Sequence, residues 1–340
     1  MDAYLASLSV HLPDGMLTNE QLQLENPAWD MRRLEAKTGI KTRRIAAAGE
    51  TASDLAFQAA EKLLDGLPAD RNSIDACLFC TQSPDYFLPT SACILQDRLG
   101  LPTTCAALDF NQGCSGYVYG LYLAKALVAS GTARNVLVLT GETYSKYIHP
   151  RDRSVRVLFG DAGSASLVTA RPPGAKLGPF RVGTDGSGHQ SLIVPAGGSR
   201  LPCGPATAVE STDEQGCQRT DENLFMDGQE LFLFTLQRIP ALVRSLVEDA
   251  GTTIQDVDWF IFHQANLFMN EHLRGKLCIP SEKAPFCMQH VGNTVSNTIP
   301  IALQATAERM APEQKVVLVG FGVGYSWAAC LLQWGSVGIS

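Results

Sequence analysis

Four short apolar runs, at residues 75–81, 104–110, 135–141 and 163–169, alternate with segments at 53–64, 91–99 and 115–130 whose apolar residues recur at helical spacing. A short run of aliphatic and β-branched residues reads as a buried strand, and a period of about 3.6 reads as an amphipathic helix. Their alternation confines the chain to an α/β class and predicts a largely parallel sheet covered by helices on both faces. With 340 residues of which 45% are hydrophobic, the chain can bury one large core or two ordinary ones.

The pattern breaks at Arg171-Pro172-Pro173-Gly174, which divides the chain into halves at 1–172 and 173–340. Residues 183–227, rich in Gly, Pro, Ser, Thr and acidic side chains, read as a long irregular segment, which in a compact protein is functional or disordered. Regular structure is then predicted as a helix at 228–251, a strand at 258–263, a helix at 266–277, a strand near 285–290, a helix at 297–310, and strands at 315–320 and 327–334. The second half repeats the first half's rhythm of strand, glycine-containing turn and helix. Leu108-Asp109-Phe110-Asn111-Gln112-Gly113-Cys114-Ser115-Gly116 compares with Gln289-His290-Val291-Gly292-Asn293-Thr294, and the expectation is two similar α/β halves facing one another.

Charge excludes some partners. Lys plus Arg (27) against Asp plus Glu (34) leaves −7, with no block of like charge, so no concentrated basic surface exists for nucleic acid. The start, Met1-Asp2-Ala3-Tyr4-Leu5, lacks a basic export segment, and no stretch of about 18 uncharged apolar residues follows. The expectation is a protein that neither is exported nor spans a membrane. Its 10 cysteines are scattered through apolar segments, which suits reduced thiols in the cytoplasm.

Among those cysteines, Cys114 stands apart. It falls between a predicted strand and a predicted helix, flanked by Gly113 and Gly116. Such a turn projects its side chain from the sheet, and the helix N-terminus beside it favours a thiolate nucleophile. His263 closes the predicted strand Trp259-Phe260-Ile261-Phe262 at the carboxyl edge, where ligands bind in open α/β sheets. His290 has the same local logic and competes with it. Asn293 is a neutral donor in a third turn; it is an ordinary cap residue unless it shares a pocket with Cys114 and His263. Two motifs are set aside. Gly320-Phe321-Gly322-Val323-Gly324 follows a strand but precedes another β-like run, which argues against a dinucleotide site. Cys77 and Cys80 have redox-motif spacing inside a strand, which points them to opposite faces. The histidines lack metal-ligand spacing, so no metal is expected.

Gly113-Cys114-Ser115-Gly116, His263-Gln264-Ala265-Asn266-Leu267, Gly292-Asn293-Thr294 and Gly322-Val323-Gly324-Tyr325-Ser326-Trp327 occur in this order along the chain. With Thr38-Gly39-Ile40, Pro89-Thr90-Ser91-Ala92-Cys93, Asp152-Arg153, Phe159-Gly160-Asp161-Ala162-Gly163 and Asp185-Gly186-Ser187, they resemble the β-ketoacyl-acyl carrier protein synthase III family of the thiolase superfamily. The resemblance implies a five-layered αβαβα fold whose first thiolase-like half carries the nucleophilic cysteine and whose second carries His and Asn. It implies a homodimer. It further implies that Cys114 takes an acyl group from a thioester, and that His263 and Asn293 stabilise the enolate formed when a malonyl thioester loses carbon dioxide. The backbone N–H groups of Cys114 and Val323 would form the oxyanion hole. Arg153, Phe159, Leu192, Gly228, Gln229 and Phe321 would bind substrate, together with Leu88 from the partner subunit. The implied partners are acyl-coenzyme A or acyl carrier protein and a malonyl thioester, with no cofactor beyond the pantetheine of the substrate.

Several positions depart from that family. A tryptophan usual upstream of Thr-Gly-Ile is Arg33 here, with Trp29 one turn earlier, a usual lysine is Leu233, and an arginine after His-Gln-Ala-Asn-Leu is Phe268. The resemblance then predicts a weakened hold on coenzyme A, with Lys37 or Lys41 as substitutes. Leu88 in place of a phenylalanine predicts donors longer than acetyl, since each buried methylene contributes ~0.8 kcal/mol. Two other functions share the motifs: acyl transfer from Cys114 to an alcohol or amine, and a non-catalytic subunit of a heterodimeric synthase.

Overall fold

Strand formation here follows the apolar runs closely. In a computed structural model that describes residues 1–66 and 70–340, the chain begins with β1 (Tyr4–His11), β2 (Gly15–Thr18), α1 (Asn19–Glu25), α2 (Met31–Thr38) and β3 (Thr42–Ile45). There follow α3 (Ala52–Asp65), β4 (Ala76–Cys80), α4 (Ser91–Arg98), β5 (Ala106–Phe110), α5 (Gly116–Ala129), β6 (Asn135–Glu142), the single turn α6 (Arg153–Arg156), β7 (Ala162–Thr169) and β8 (Ala175–Thr184). The two-residue strands β9 (Leu192–Ile193), β10 (Ser211–Thr212), β11 (Gln218–Arg219) and β12 (Phe225–Met226) lead into α7 (Gly228–Asp249). The chain closes with β13 (Trp259–Phe262), α8 (Leu267–Lys276), α9 (Thr298–Thr306), β14 (Lys315–Gly322), β15 (Ser326–Gln333) and β16 (Gly338–Ile339).

The main strands join in the order β13-β14-β15-β8-β1-β7-β6-β4-β5. Its two ends repeat one plan. In the first half β4 pairs in parallel with β5 and β6, and β6 runs antiparallel to β7, which runs antiparallel to β1. In the second, β13 is parallel to β14, which is antiparallel to β15, which is antiparallel to β8. β1 and β8 meet antiparallel through two residue pairs at the centre. The sheet is therefore mixed, not largely parallel. The β14–β15 connection is too short for anything but a hairpin, and an alternation of strand and helix patterns carries no information about strand direction.

The second half lacks a counterpart to β5. The strand predicted near residues 285–290 is irregular chain ending in a turn, because the Gln264 side chain takes the bonds a neighbouring strand would have made: Nε2 donates to the Pro285 carbonyl at 3.3 Å and Oε1 accepts from the Cys287 N–H at 3.0 Å. The helix predicted at 297–310 is shorter, with α9 flanked by 3-10 turns at Val295–Asn297 and Ala307–Arg309. Nor is 183–227 irregular throughout: β9 pairs with β12, and β10 with β11.

Layering follows from strand alternation. Along β4, Cys77 and Phe79 pack with α3 and α4 on the outside, while Ala76 and Leu78 pack inward with Tyr117, Val118 and Leu121 of α5. Along β13, Trp259 and Ile261 face α9, and Phe260 and Phe262 join the core beneath α7 and α8. The layers are thus α3/α4, sheet, α5/α9, sheet, α7/α8: the five-layered αβαβα arrangement. α5 lies between the two halves with half of its residues buried and most of the rest half-buried, which fits its nearly continuous apolar sequence. No helix is long and apolar enough to cross a membrane among the described residues.

Candidate active site

Cys114 lies in the turn between β5 and α5, one residue before the Ser115 cap. Glycines shape this turn by leaving space. A Cβ on Gly116 would collide with the Cys80 sulfur, and one on Gly113 with Val323 and Gln82. Gly322, at φ +157°, brings the end of β14 so close that its Cβ would stand 2.9 Å from the Cys114 sulfur.

The site is enclosed. Cys114 is only 4% exposed, and burial pushes its thiol up to about 12, opposed by backbone N–H groups of Val323 and of Cys114 itself directed at the sulfur. This corrects the expectation of an exposed, thiolate-favouring turn. Desolvation of the charged form outweighs the helix terminus, so the resting group is a thiol. The two N–H groups aimed at the sulfur are those expected for the oxyanion hole.

His263 follows β13 and is buried; its backbone N–H donates to the Val319 carbonyl of β14 at 2.7 Å. Desolvation lowers its imidazole to about 3, with the Val295 carbonyl opposing, so the ring is neutral near pH 7. Asn293 is not at the end of a strand. It is held by a lone bridge to Phe159, its Nδ2 donates to the Ala265 carbonyl at 3.3 Å, and its Oδ1 accepts from the Val295 N–H at 3.0 Å. That polarity leaves one amide hydrogen of Nδ2 free. Val295 sits at φ +57°, a conformation costing a β-branched residue on the order of 1–3 kcal/mol. Such strain persists where surrounding contacts demand it.

Cys114, His263 and Asn293 line one cavity of about 70 Å³ with Phe159, Leu192, Gly228 and Phe321. Also on its wall are Ala265, Asn266 and Gly322 from the motifs quoted above, and, not anticipated from sequence, Leu158, Met226, Leu231, Thr235 and Met269. The four apolar side chains among the latter look like ordinary core in the sequence, and only the fold distinguishes a wall from an interior. Arg153 and Gln229 stand outside, lining a cavity of about 720 Å³ that shares Leu158, Met226, Gly228, Asn266 and Met269 with the first and so leads into it. Leu88 is 82% exposed and lines neither. His290, the competing histidine, is exposed on a turn away from this group. Gly320 to Gly324 form the β14–β15 hairpin, and Cys77 and Cys80 are fully buried in β4.

Residues 108–186 match the family described as 3-oxoacyl-[acyl-carrier-protein (ACP)] synthase III, and residues 247–334 match that synthase's C-terminal family. The β-ketoacyl-[acyl-carrier-protein] synthase III 3 of Streptomyces coelicolor is 36% identical over 337 residues, 98% of this chain and 97% of that protein. The chain belongs to the β-ketoacyl-acyl carrier protein synthase III family. A crystal structure of a 3-oxoacyl-(acyl-carrier-protein) synthase III superposes with a TM-score of 0.95 at 50% identity, covering 98% of this chain and 100% of that one. The 3-oxoacyl-(acyl-carrier protein) synthase of Burkholderia xenovorans LB400 gives 0.91 at 38%, covering 100% and 97%. The fold is the thiolase fold of these synthases.

Against that family background, the entrance has its own character. Leu233 and Phe268 are partly exposed, and Phe268 packs against Phe232 and His272 with ring centroids 5.3 and 4.1 Å away. Lys37 lies 5.5 Å over the Phe268 ring and lines the entrance cavity, whereas Arg33 is exposed on α2 and is not on its wall. Arg219 is engaged by buried Asp152 and by Asp213, at 2.6 Å each, which leaves Lys37 and Arg153 as the freer cations at this mouth.

Proposed function

We propose that this synthase III family member forms a carbon–carbon bond by acylation of Cys114 followed by decarboxylative condensation with a malonyl thioester. The observation that carries the reading is the meeting of Cys114, His263 and Asn293 in one enclosed cavity, joined to an entrance large enough for a pantetheine arm. In the first half-reaction the Cys114 sulfur attacks the donor carbonyl. The N–H groups of Val323 and Cys114 hold the resulting oxyanion, and the carrier thiol leaves with the proton. In the second, the bond to the malonyl carboxylate breaks. The electron pair becomes an enolate whose oxygen accepts from His263 and from the free hydrogen of Asn293 Nδ2. The enolate carbon then attacks the acyl group, and Cys114 leaves as thiolate.

A neutral histidine and an asparagine suit this step, since both donate without neutralising the carbanion by proton transfer. Losing one such donor costs ~10²–10³ in rate. The carriers, coenzyme A or acyl carrier protein, dock at the entrance beside Lys37 and Arg153 in this reading. A homodimer is part of it, because Tyr86, Phe87 and Leu88 are 63%, 90% and 82% exposed in a single chain and a second copy would cover them.

Intact mass measured with released carbon dioxide tests the sequence of events. An acyl thioester should add one acyl group to the protein and none to Cys114→Ala. His263→Ala and Asn293→Ala should acylate within a few-fold of wild type yet lose condensation by ~10²-fold or more. Labelling of another cysteine, or transfer of the acyl group to an alcohol or amine without carbon dioxide, would refute the assignment.

A further inference from the structure

The wall of the entrance cavity carries three cations, Lys37, Arg153 and Arg219, and three carboxylates, Asp213, Glu214 and Asp227. Arg219 differs from the other two cations in being spanned between carboxylates. Its Nε donates to Oδ2 of Asp152 at 2.6 Å and its Nη2 to Oδ2 of Asp213 at 2.6 Å. Asp152 is fully buried, and its Oδ1 accepts from the backbone N–H of Ser154 at 2.9 Å, in the turn α6 that carries Arg153. Asp213 shapes the tip of the β10–β11 hairpin: its Oδ1 accepts from the N–H groups of Gln215 and Cys217 at 3.0 and 2.9 Å. That tip meets Arg153 in turn, whose Nη2 donates to the Gln215 carbonyl at 3.4 Å. The Arg219 guanidinium also lies 5.3 Å over the Phe225 ring, and its side chain is only 13% exposed. A planar fork held by two carboxylates, one of them shut off from water, is a fixed strut and not a screened surface pair.

The strut sets the charge of the mouth as well as its shape. Without Arg219 the wall would carry two cations against three carboxylates, with the Asp152 charge unpaired behind them. An anionic arm passing such a wall is repelled. We propose that Arg219 is a specificity-determining positioning residue for a phosphate-bearing carrier: it neutralises Asp152 and Asp213 and pins the hairpin tip against α6, so that Lys37 and Arg153 are the cations the phosphate of a pantetheine arm meets. The inference rests on the functional reading above for the path of that arm. The phosphate is common to coenzyme A and to the arm of a carrier protein.

Two donors that differ only in the phosphate, an acyl-phosphopantetheine and the same acyl-pantetheine, test this through the rate of acyl mass gained by the full chain. In Arg219→Gln the preference in kcat/KM for the phosphorylated donor should fall by about tenfold at low salt, and the gap to wild type should shrink at about 0.5 M salt as added ions screen the wall. Arg219→Gln strands the buried Asp152 charge, so Asp152→Asn/Arg219→Gln is measured beside it and should lose preference in the same direction. Acyl-coenzyme A and acyl carrier protein should lose in parallel with acyl-phosphopantetheine; a loss confined to one of them overturns the assignment to the shared phosphate. Equal losses with phosphorylated and unphosphorylated donors in both variants would reduce Arg219 to a support of the fold, and an unchanged preference would remove it from recognition. If no donor acylates the wild-type protein, the functional reading fails. Calorimetry with coenzyme A and with pantetheine then still decides the role of Arg219: coenzyme A binding weakened about tenfold in both variants, and pantetheine binding not, supports it, and coenzyme A binding at wild-type strength refutes it.

Discussion

Glu142 ends β6 with its carboxyl fully enclosed, accepting from the Gln82 N–H at 3.1 Å and from the Ser83 and Ser296 hydroxyls at 3.3 Å each. Burial raises its pKa to about 8, and those hydrogen bonds hold it from rising further. Once ionised, its charge opposes the Cys114 thiolate, a smaller influence than desolvation and of the same sign. Glu142→Gln should therefore speed alkylation of Cys114 by iodoacetamide at pH 9, several-fold, because the neutral amide removes that repulsion. An unchanged or slower rate would show that the two groups do not communicate. Linkage gives a second readout. Between the unfolded value of 4.5 and about 8 the native chain binds the extra proton, so the stability due to a neutral Glu142 is full below about 4.5 and is lost as pH rises through 8. Melting temperature should fall more steeply from pH 6 to 9 in wild type than in Glu142→Gln.

At the scale of elements, β14 reaches Cys114 only because Gly322 has no side chain. Gly322→Ala would place a methyl on the sulfur and shift the Val323 N–H away from it. Acyl-enzyme formation should then slow by ~10²-fold or more with the far-ultraviolet circular dichroism of the wild type, while wild-type acylation would remove Val323 from the oxyanion hole. The sequence made much of this legible. The glycines around Cys114, the strand before His263 and the strand-helix rhythm of both halves follow from local spacing alone. Other features were hidden for physical reasons. The absence of a strand at 285–290 depends on the Gln264 amide folding back onto that backbone, a contact spacing does not encode. The rise in the Cys114 pKa depends on a depth of burial that only the closed fold creates. The mixed sheet was missed because period and composition are blind to strand direction.

For the whole molecule, the open matter is the length of acyl chain the enzyme accepts. Preference for donors longer than acetyl was expected because Leu88 replaces a larger residue, but Leu88 is not on the wall of its own chain's cavity. Within one chain the boundary is Phe159, which also lines a separate cavity of about 690 Å³ with Met16, Leu17, Ile45 and Ile148. Removing that ring joins about 70 Å³ at Cys114 to a much larger, mostly apolar space, where each further methylene buried contributes ~0.8 kcal/mol. Phe159→Ala should therefore shift a competition among acyl-coenzyme A donors from short chains toward chains several carbons longer, read as the masses on Cys114. Leu88→Phe separates the chain's own wall from a partner's. If a second copy inserts Leu88 beside Cys114, this larger side chain shortens the preferred donor and leaves a dimer by sedimentation. If Leu88→Phe leaves the chain-length profile untouched while Phe159→Ala lengthens it, the acyl pocket is built by one chain and the partner contributes no wall.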